Sequence, residues 1–198
     1  MLKLNKNLGD KIDKVGRFEL ITGPMSCGKT EELIRRIKRC VIAGQEILVF
    51  SPVIDDRVKG EIIKSRNGST FKTIKIKEAK DILKHVKTTT EVIAIDEMQF
   101  FDEGIFEVIK TLIKDKRIIG CGLDLDFKGE PFGCMPQLMC YATTVDKLTA
   151  ICMKCHKDNA THSQRIINGE PASKDSPLII IGADETYEAR CINCWECE

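Results

Sequence analysis

The fold is decided by the stretch Gly23-Pro24-Met25-Ser26-Cys27-Gly28-Lys29-Thr30, which spells G-x-x-x-x-G-K-T. A short apolar run at 18–22 precedes it and predicts a buried strand, and residues 30–43 follow it with helical spacing. This order of strand, loop and helix is typical of a nucleoside triphosphate site, called a P-loop, because its glycines let backbone N–H groups face phosphate oxygens. A purely structural glycine-rich turn is the alternative interpretation.

The residues of this loop have distinct expected contacts with a bound triphosphate. The backbone of residues 23–30 would surround the phosphates at the positively charged N-terminus of the following helix. Lys29 would reach the β- and γ-phosphates, and the hydroxyl of Thr30 would ligate Mg²⁺. The loop therefore predicts ATP binding, while the fate of the γ-phosphate depends on residues elsewhere.

Size and charge restrict the class of protein. The chain has 198 residues, 42% of them hydrophobic, and a formal net charge of +1, which suits one compact domain with a small appendage. A basic run at 35–39 lies on the helix after the loop, where we expect it on the solvent face and not on a nucleic acid. The residues expected to bury the opposite face are Leu33, Ile34, Ile37 and Val41.

The chain is expected to act in the cytoplasm. Its first 17 residues contain no continuous apolar stretch of signal-peptide length, and no segment approaches the roughly 20 apolar residues of a membrane span. Ten cysteines in a cytoplasmic protein favour metal ligands and buried thiols over disulfides. Cys27, Cys40, Cys121, Cys134 and Cys140 are expected to be packing residues.

Strand-like and helix-like segments alternate along most of the chain. Apolar strands are predicted at 46–51, 91–95 and 117–122, with helices at 78–87 and 102–115 between them. This alternation predicts a mainly parallel sheet covered by helices on both faces, the α/β fold of P-loop (RecA-like) NTPases. Two strand-like runs within 62–76 flank Asn67-Gly68 and predict a small hairpin.

A pair of acids follows the second of these strands. Asp96 and Glu97 end the apolar run 92–95. In P-loop proteins an acid at this position holds Mg²⁺, usually through water, and Asp96 fits that role. Glu97 lies near the carboxyl edge of the sheet, where it could accept a proton from water or a substrate hydroxyl. The alternative is that both acids cap the next helix.

Four cysteines near the end of the chain have metal-ligand spacing. Cys152 and Cys155 form one C-x-x-C pair, and Cys191 and Cys194 form the second. Two such pairs predict a closed, structural Zn²⁺ site that pins a long loop at its base, and unligated buried thiols are the alternative. Cys197 leaves one C-terminal thiol spare. His156 is poorly placed to compete as a ligand, and His162 is expected to be a loop residue.

Composition changes near residue 151 and divides the chain into three parts. We expect residues 1–17 to form an N-terminal segment and residues 18–150 the P-loop α/β domain. Residues 151–198 are expected to form a small zinc-ribbon-like domain, called a lasso domain because a long loop joins its two cysteine pairs. The apolar run 178–182 within the lasso could lie against a ligand as extended backbone.

At this point the chain resembles a known family, the thymidine kinases with a zinc-stapled lasso loop. The similarity extends from Phe18 to Trp195. It rests on GPMxxGKT, on Asp96-Glu97-Met98-Gln99-Phe100-Phe101, on Gly122-Leu123-Asp124-x-x-Phe127, on KGEPFG at 128–133, on Leu148-Thr149-Ala150-x-Cys152, and on Ala183-Asp184 to Tyr187.

The resemblance implies that ATP and thymidine react to give thymidine monophosphate and ADP, with deoxyuridine as a possible acceptor. It implies Glu97 as the base, Lys29 and Thr30 on the phosphates and Mg²⁺, Asp96 on the metal, and Arg57 near the transferring charge. The residues implied to surround or bond the nucleoside are Met25, Asp55, Gln99, Phe100, Leu123, Phe127, Ser163, Ile180, Ile181, Gly182 and Tyr187. Ordinary core packing is the alternative for the apolar members of this set.

The family also implies a homotetramer and feedback inhibition by thymidine triphosphate. The chain departs from the family at Ser26-Cys27, where Phe-Ser is common, which bears on local packing and not on the glycines or the lysine. Two other functions fit the motifs: a zinc-bearing ATPase acting on nucleic acid, and a regulatory nucleotide-binding module. A short, nearly neutral chain argues against the first, so no nucleic acid polymer is expected as a partner.

Overall fold

The structure is a computed structural model that describes residues 16–53, 62–64, 68–178 and 185–197. Within these residues a six-stranded sheet has the order β5-β2-β6-β7-β1-β8, and every neighbouring pair is parallel. This is the α/β architecture predicted from the alternating pattern. Its strands are β1 (Arg17–Thr22), β2 (Ile47–Pro52), β5 (Ile74–Ile76), β6 (Val92–Ile95), β7 (Arg117–Gly122) and β8 (Thr144–Lys147).

Helices flank this sheet and bury two apolar clusters against it. One cluster lies under α1 (Lys29–Ile42), and the other under α2 (Ile82–His85), α3 (Gly104–Leu112) and α4 (Met135–Tyr141). The predicted helix at 78–87 begins as a 3₁₀ turn, Ala79–Asp81, and the one at 102–115 is shorter than expected. The strand β8 and the helix α4 were not predicted, since neither segment has strong periodicity.

The helix after the P-loop differs from its predicted pattern at two positions. Val41 is 49% exposed and Cys40 takes its place in the core, three residues after the buried Ile37. The prediction for Val41 was wrong because the helix turns that residue away from the sheet near its end. Arg36 is also not on the open solvent face, since its guanidinium forms ion pairs with Glu19 and Asp146.

The hairpin predicted around Asn67-Gly68 accounts for only part of residues 62–76. Strand β3 (Ile62–Lys64) pairs antiparallel with β4 (Thr70–Lys72), outside the central sheet. The following β5 instead joins the central sheet beside β2. Asn67 itself lies outside the described residues.

The C-terminal part of the chain carries two small antiparallel sheets. They comprise β9 (Ala150–Ile151) with β10 (Asp158–Ala160), and β12 (Glu170–Pro171), β11 (His162–Ile167) and β13 (Glu185–Arg190) in the order β12-β11-β13. The prediction of His162 as a loop residue was wrong, because it begins β11 opposite Arg190. Its ring lies 4.9 Å from that of Trp195.

The five cysteines predicted to be packing residues differ in how deeply they are buried. Cys40, Cys121 and Cys134 are buried and Cys27 is half-buried. Cys140 is exposed, so the prediction failed there because it lies on the outer side of α4.

Several predicted residues cannot be compared with the structure. Asp55, Arg57, Ile180, Ile181 and Gly182 lie outside the described residues, as does most of the segment 1–17. Within the ranges that the structure describes, no helix is both long enough and apolar enough to cross a bilayer.

Candidate active site

The candidate site lies where three parallel strands end. The P-loop follows β1, Asp96 follows β6, and Leu123 follows β7. Because these strands are neighbours and all run in the same direction, their carboxyl ends meet at one edge of the sheet. Residues of the P-loop and Leu123, about a hundred positions apart in the sequence, therefore lie close together.

Backbone geometry explains the glycines of the P-loop. Gly23 has φ 137° and Gly28 φ 88°, both in the region that favours glycine. A Cβ at Gly23 would also lie 2.3 Å from the carbonyl oxygen of Leu148. Ser26 adopts φ 66°, which leaves the loop curled around its own N–H groups.

The loop and its neighbours form a cavity of about 250 Å³. Its lining includes seven residues that the sequence predicted: Met25, Ser26, Gly28, Lys29, Thr30, Glu97 and Leu123. It also includes Glu31 and Lys64, which were not predicted. Lys64 comes from the hairpin, and only its charge in an otherwise apolar strand could have indicated a role. The cavity therefore gathers two lysines and two carboxylates, those of Glu31 and Glu97, at one edge of the sheet.

Lys29 is almost fully buried and its ammonium group bonds within the loop. Nζ donates to the carbonyl oxygen of Pro24 at 2.7 Å and lies 3.7 Å from Sγ of Cys27. A buried ammonium group beside curled backbone N–H groups can neutralise phosphate charge. Cys27 also packs against the apolar cluster that contains Cys152 and Cys191.

Asp96 is buried behind the cavity. Its Oδ1 accepts hydrogen bonds from the backbone N–H of Glu97 at 3.0 Å and from Sγ of Cys121 at 2.8 Å. Burial, and then the nearby charge of Glu97, raise the pKa of Asp96 to about 6. Burial likewise raises the pKa of the Cys121 thiol well above its usual range, so this thiol stays a donor. A cation near Asp96 would favour its ionised form.

Glu97 is held by a short chain of hydrogen bonds. The amide of Gln99 donates from Nε2 to Oε2 of Glu97 at 2.5 Å, and its Oε1 accepts from the backbone N–H of Leu123 at 3.0 Å. Glu97 has φ 52°, an unusual conformation for a residue with a side chain. Such strain at the end of a strand turns the carboxylate toward the cavity, and Gln99 keeps it there.

The predicted nucleoside residues occupy different environments. Leu123 and Phe127 are buried, while Phe100 is half-buried with its ring 5.4 Å from that of Phe132 in an edge-to-face contact. The hydroxyl of Ser163 accepts a hydrogen bond from the backbone N–H of Met25 at 2.9 Å. Ser163 therefore reaches the P-loop, a contact that sequence reasoning did not predict.

Arg165 is a further residue that sequence reasoning missed. It is 1% exposed, and its guanidinium lies over the ring of Phe127, with Cζ 3.9 Å from the ring centroid. Its Nε donates to the hydroxyl of Tyr187 at 2.8 Å. One face of Phe127 is thus covered by Arg165, and Tyr187 lies directly opposite Arg165 in the paired strands. A lone arginine in a polar segment gave no signal for this role.

The two C-x-x-C pairs come together as predicted. The sulfur atoms of Cys152, Cys155, Cys191 and Cys194 all lie within 4.8 Å of one another, and Cys197 does not belong to this group. Sγ of Cys155 is 3.8 Å from Sγ of Cys191. Four thiolates bound to Zn²⁺ at about 2.3 Å require sulfur separations of about 3.8 Å, so the cluster fits a tetrahedral zinc site.

The segment that carries the second pair of cysteines also contacts the loop after β7. Trp195 follows Cys194 directly, and its Nε1 donates to the carbonyl oxygen of Phe127 at 3.3 Å. A Cβ at Gly129 would lie 2.8 Å from the Trp195 ring, so glycine permits this close approach. The metal site is therefore connected to the loop that carries Phe127.

Comparison with protein families agrees with this geometry. The family model described as thymidine kinase matches residues 16–195, which include the P-loop, the Asp96-Glu97 pair and all four clustered cysteines. The match covers most of the chain. The chain belongs to the thymidine kinase family and is a nucleoside kinase, a transferase.

Proposed function

We propose that this protein transfers the γ-phosphate of ATP, as its Mg²⁺ complex, to the 5′-hydroxyl of thymidine. The products are thymidine monophosphate and ADP, made in the cytoplasm for nucleotide salvage and DNA synthesis. Deoxyuridine, which lacks only the 5-methyl group, is proposed as a second acceptor. The observation that carries the proposal is that Lys29, Thr30 and Glu97 line one cavity in a member of this family.

The P-loop is proposed to hold the triphosphate. Backbone N–H groups of residues 23–30 and the ammonium group of Lys29 bind the phosphate oxygens, and Arg57 is proposed to approach the transferring group. On binding, Nζ of Lys29 exchanges the Pro24 carbonyl oxygen for phosphate oxygens. This exchange keeps the buried charge compensated in both states.

Thr30 and Asp96 are proposed to hold Mg²⁺, Asp96 through water. The donor set of hydroxyl, carboxylate and phosphate oxygens suits this hard cation, which neutralises charge on the phosphates when bound. The burial of Asp96 behind the cavity supports contact through water.

Glu97 is proposed to accept the proton of the 5′-hydroxyl as its oxygen attacks the γ-phosphate. Its hydrogen bond from Gln99 supports this role, since it orients the carboxylate without protonating it. Met25, Asp55, Gln99, Phe100, Leu123, Phe127, Ser163 and Tyr187, with the backbone of 180–182, are proposed to surround the nucleoside.

Zn²⁺ is proposed to be structural at the four clustered cysteines. With all four positions filled by thiolates, no open position remains for a substrate. A division into an α/β domain at 18–150 and a lasso domain at 151–198, a homotetramer, and inhibition by thymidine triphosphate are further proposals that the family suggests.

Product analysis tests the function. Purified protein is mixed with ATP, Mg²⁺ and each deoxynucleoside in turn, and monophosphates are quantified beside those from Glu97→Gln and from Glu103→Gln. Thymidine monophosphate is expected from the parent and from the Glu103 control, whose carboxylate is exposed. Glu97→Gln should lower turnover by about 100-fold or more while ATP still binds. ATP binding without a monophosphate from any acceptor would contradict the proposal.

A further inference from the structure

A cavity of about 380 Å³, here called the arginine cavity, lies at the end of the sheet away from the P-loop. The residues that line it are Arg17, Glu19, Arg35, Arg36, Arg39, Arg117 and Thr144. Arg17, Arg117 and Thr144 begin the neighbouring strands β1, β7 and β8, and the remaining arginines belong to α1. Because the P-loop follows the last residue of β1, this strand places roughly 17 Å between the two sites.

One buried carboxylate organises three of these arginines. Glu19 is 8% exposed and accepts hydrogen bonds from Nε of Arg17 at 2.7 Å and from Nη1 of Arg36 at 3.0 Å. It also accepts two bonds from Arg117, from Nε at 2.7 Å and from Nη2 at 3.0 Å. The guanidinium groups are thus held in place before any ligand arrives, which lowers the entropy that binding would cost.

The acidic side chains around the cavity do not balance its positive charge. Three carboxylates of the described chain, those of Glu19, Glu32 and Asp146, form ion pairs with its arginines. Five arginines therefore leave an excess of two positive charges. A concave surface that carries charge of one sign concentrates ions of the opposite sign.

Two of the arginines also keep unused hydrogen-bond donors. Arg17 bonds to Glu19 through Nε alone, so its two terminal nitrogens make no hydrogen bond to any residue that the structure describes. The exposed side chain of Arg39 makes neither a hydrogen bond nor an ion pair within the described ranges. Guanidinium N–H groups match pairs of phosphate oxygens in geometry and charge.

We propose that the arginine cavity binds an oligophosphate anion, either an inorganic one or the di- or triphosphate group of a nucleotide. Two excess charges and two sets of unused donors suit a ligand with adjacent phosphate groups better than a single phosphate. The volume is at the small end of the roughly 300–1,000 Å³ typical of small-molecule sites. A phosphate chain fits within it, and a nucleoside attached to that chain would extend toward solvent.

Calorimetric titration with inorganic tripolyphosphate at low ionic strength tests the proposal. The parent should bind two equivalents, one at the P-loop and one at the arginine cavity. Lys29→Ala should lose the first, because it removes the ammonium group of the P-loop. Arg39→Gln should weaken the second by about tenfold, the loss expected for one charge-assisted contact, and leave the first unchanged.

Lys38→Gln is the matched control. Lys38 is the exposed neighbour of Arg39 on α1 and lies outside the lining of the cavity. The variant removes the same charge from the same helix, so the affinity should change by less than about twofold once salt screens distant charges. Arg17→Gln is a second variant, which should weaken binding about as much as Arg39→Gln. Both arginines are exposed, so both variants should fold.

Two outcomes would overturn the proposal. One is a parent that binds tripolyphosphate only at a site that Lys29→Ala abolishes, and the other is equal weakening by Arg39→Gln and Lys38→Gln. A single equivalent that depends on Arg39 and not on Lys29 would instead support the arginine cavity and contradict phosphate binding by the P-loop. If Lys29→Ala does not fold, the loss of one of two equivalents in Arg39→Gln decides the question.

ATP and adenosine distinguish the two sources of the phosphate chain, with Lys29→Ala as the background. Binding of ATP that depends on Arg39 would identify a nucleotide as the ligand. Binding of tripolyphosphate without ATP would identify an inorganic oligophosphate. Adenosine has no phosphate, so adenosine binding that depends on Arg39 would contradict the recognition proposed for this cavity.

Discussion

The backbone N–H of Met25 donates a hydrogen bond of 2.9 Å to the hydroxyl of Ser163, a residue 138 positions later in the chain. Met25 belongs to the P-loop, and Ser163 belongs to β11 beside the cysteine cluster. Half-buried Cys27 packs against that cluster as well. The loop that is proposed to hold the phosphates is thus supported from behind by the C-terminal part of the chain.

Ser163→Ala is expected to destabilise the protein and weaken binding of ATP. The substitution leaves a backbone N–H of the P-loop without its acceptor, which costs about 1–3 kcal/mol when the group stays buried. Urea unfolding and ATP titration measure the two effects. Ser163→Thr, which retains the hydroxyl, is the control and should stay close to the parent. Equal stability of Ser163→Ala and the parent would contradict a supporting role.

Cys152→Ser is expected to lose zinc, whereas Cys197→Ser should keep it. Cys152 is one of the four clustered thiols and is fully buried, while Cys197 lies outside the group. A structural site needs all four ligands, so zinc measured by mass spectrometry should fall from about one ion per chain to near zero only in the first variant. Loss of zinc from Cys197→Ser alone would show that the ligand set is different.

Asp96→Asn is expected to stabilise the fold in the absence of ligands, more so as pH rises. Burial and the charge of Glu97 raise the pKa of Asp96 to about 6. A raised pKa favours the protonated carboxyl in the folded state. The parent is therefore most stable below about pH 4, and its free energy of unfolding falls as the pH rises through about 6. The difference between variant and parent should grow by up to about 3 kcal/mol between pH 4 and pH 7.

Urea unfolding at several pH values measures this difference, with Asp115→Asn as the exposed control. A difference that does not change with pH would indicate that Asp96 ionises normally. The same variant should bind ATP with less dependence on Mg²⁺, since its amide has no charge to offer the cation.

Glu19→Gln is expected to destabilise the protein at neutral pH by about 2 kcal/mol, because it removes the charged acceptor of hydrogen bonds from partly exposed arginine side chains. The carboxylate accepts bonds from Arg17, Arg36 and Arg117. Burial alone would raise the pKa of Glu19, but Arg117 and Arg17 outweigh it and lower this pKa to about 2.

The pH dependence of this effect has the opposite sign to that of Asp96. Stability from Glu19 is present above about pH 4.5 and is lost as pH falls toward 2. Thermal unfolding of Glu19→Gln and parent should therefore converge in acid. Glu107→Gln, which breaks an exposed pair with Lys110, is the control and should have little effect at any pH.

Local patterns were enough to predict the parallel α/β sheet from four of its six strands, and also the P-loop and the cysteine cluster. A strand such as β7 is recognisable because every residue from Ile118 to Gly122 is buried, which requires a continuous apolar run. The predictions were missing or wrong for shorter or amphipathic elements. Strand β8 is exposed along its length, and the predicted burial of Val41 ignored where the helix leaves the sheet.

The sequence by itself determined the chemistry that this protein can perform. The glycines, lysine and threonine of residues 23–30, the pair Asp96-Glu97 and the paired cysteines are local patterns whose geometry follows from backbone conformation and ligand spacing. Only the tertiary structure decided which contacts support them: Ser163 behind the P-loop, Gln99 between Glu97 and Leu123, and Arg165 between Phe127 and the carbonyl groups of Pro177 and Leu178. These contacts join residues on separate strands and loops, and many other polar residues in the chain could have made them. Their partners are selected by the packing of the whole fold, which local sequence patterns do not record.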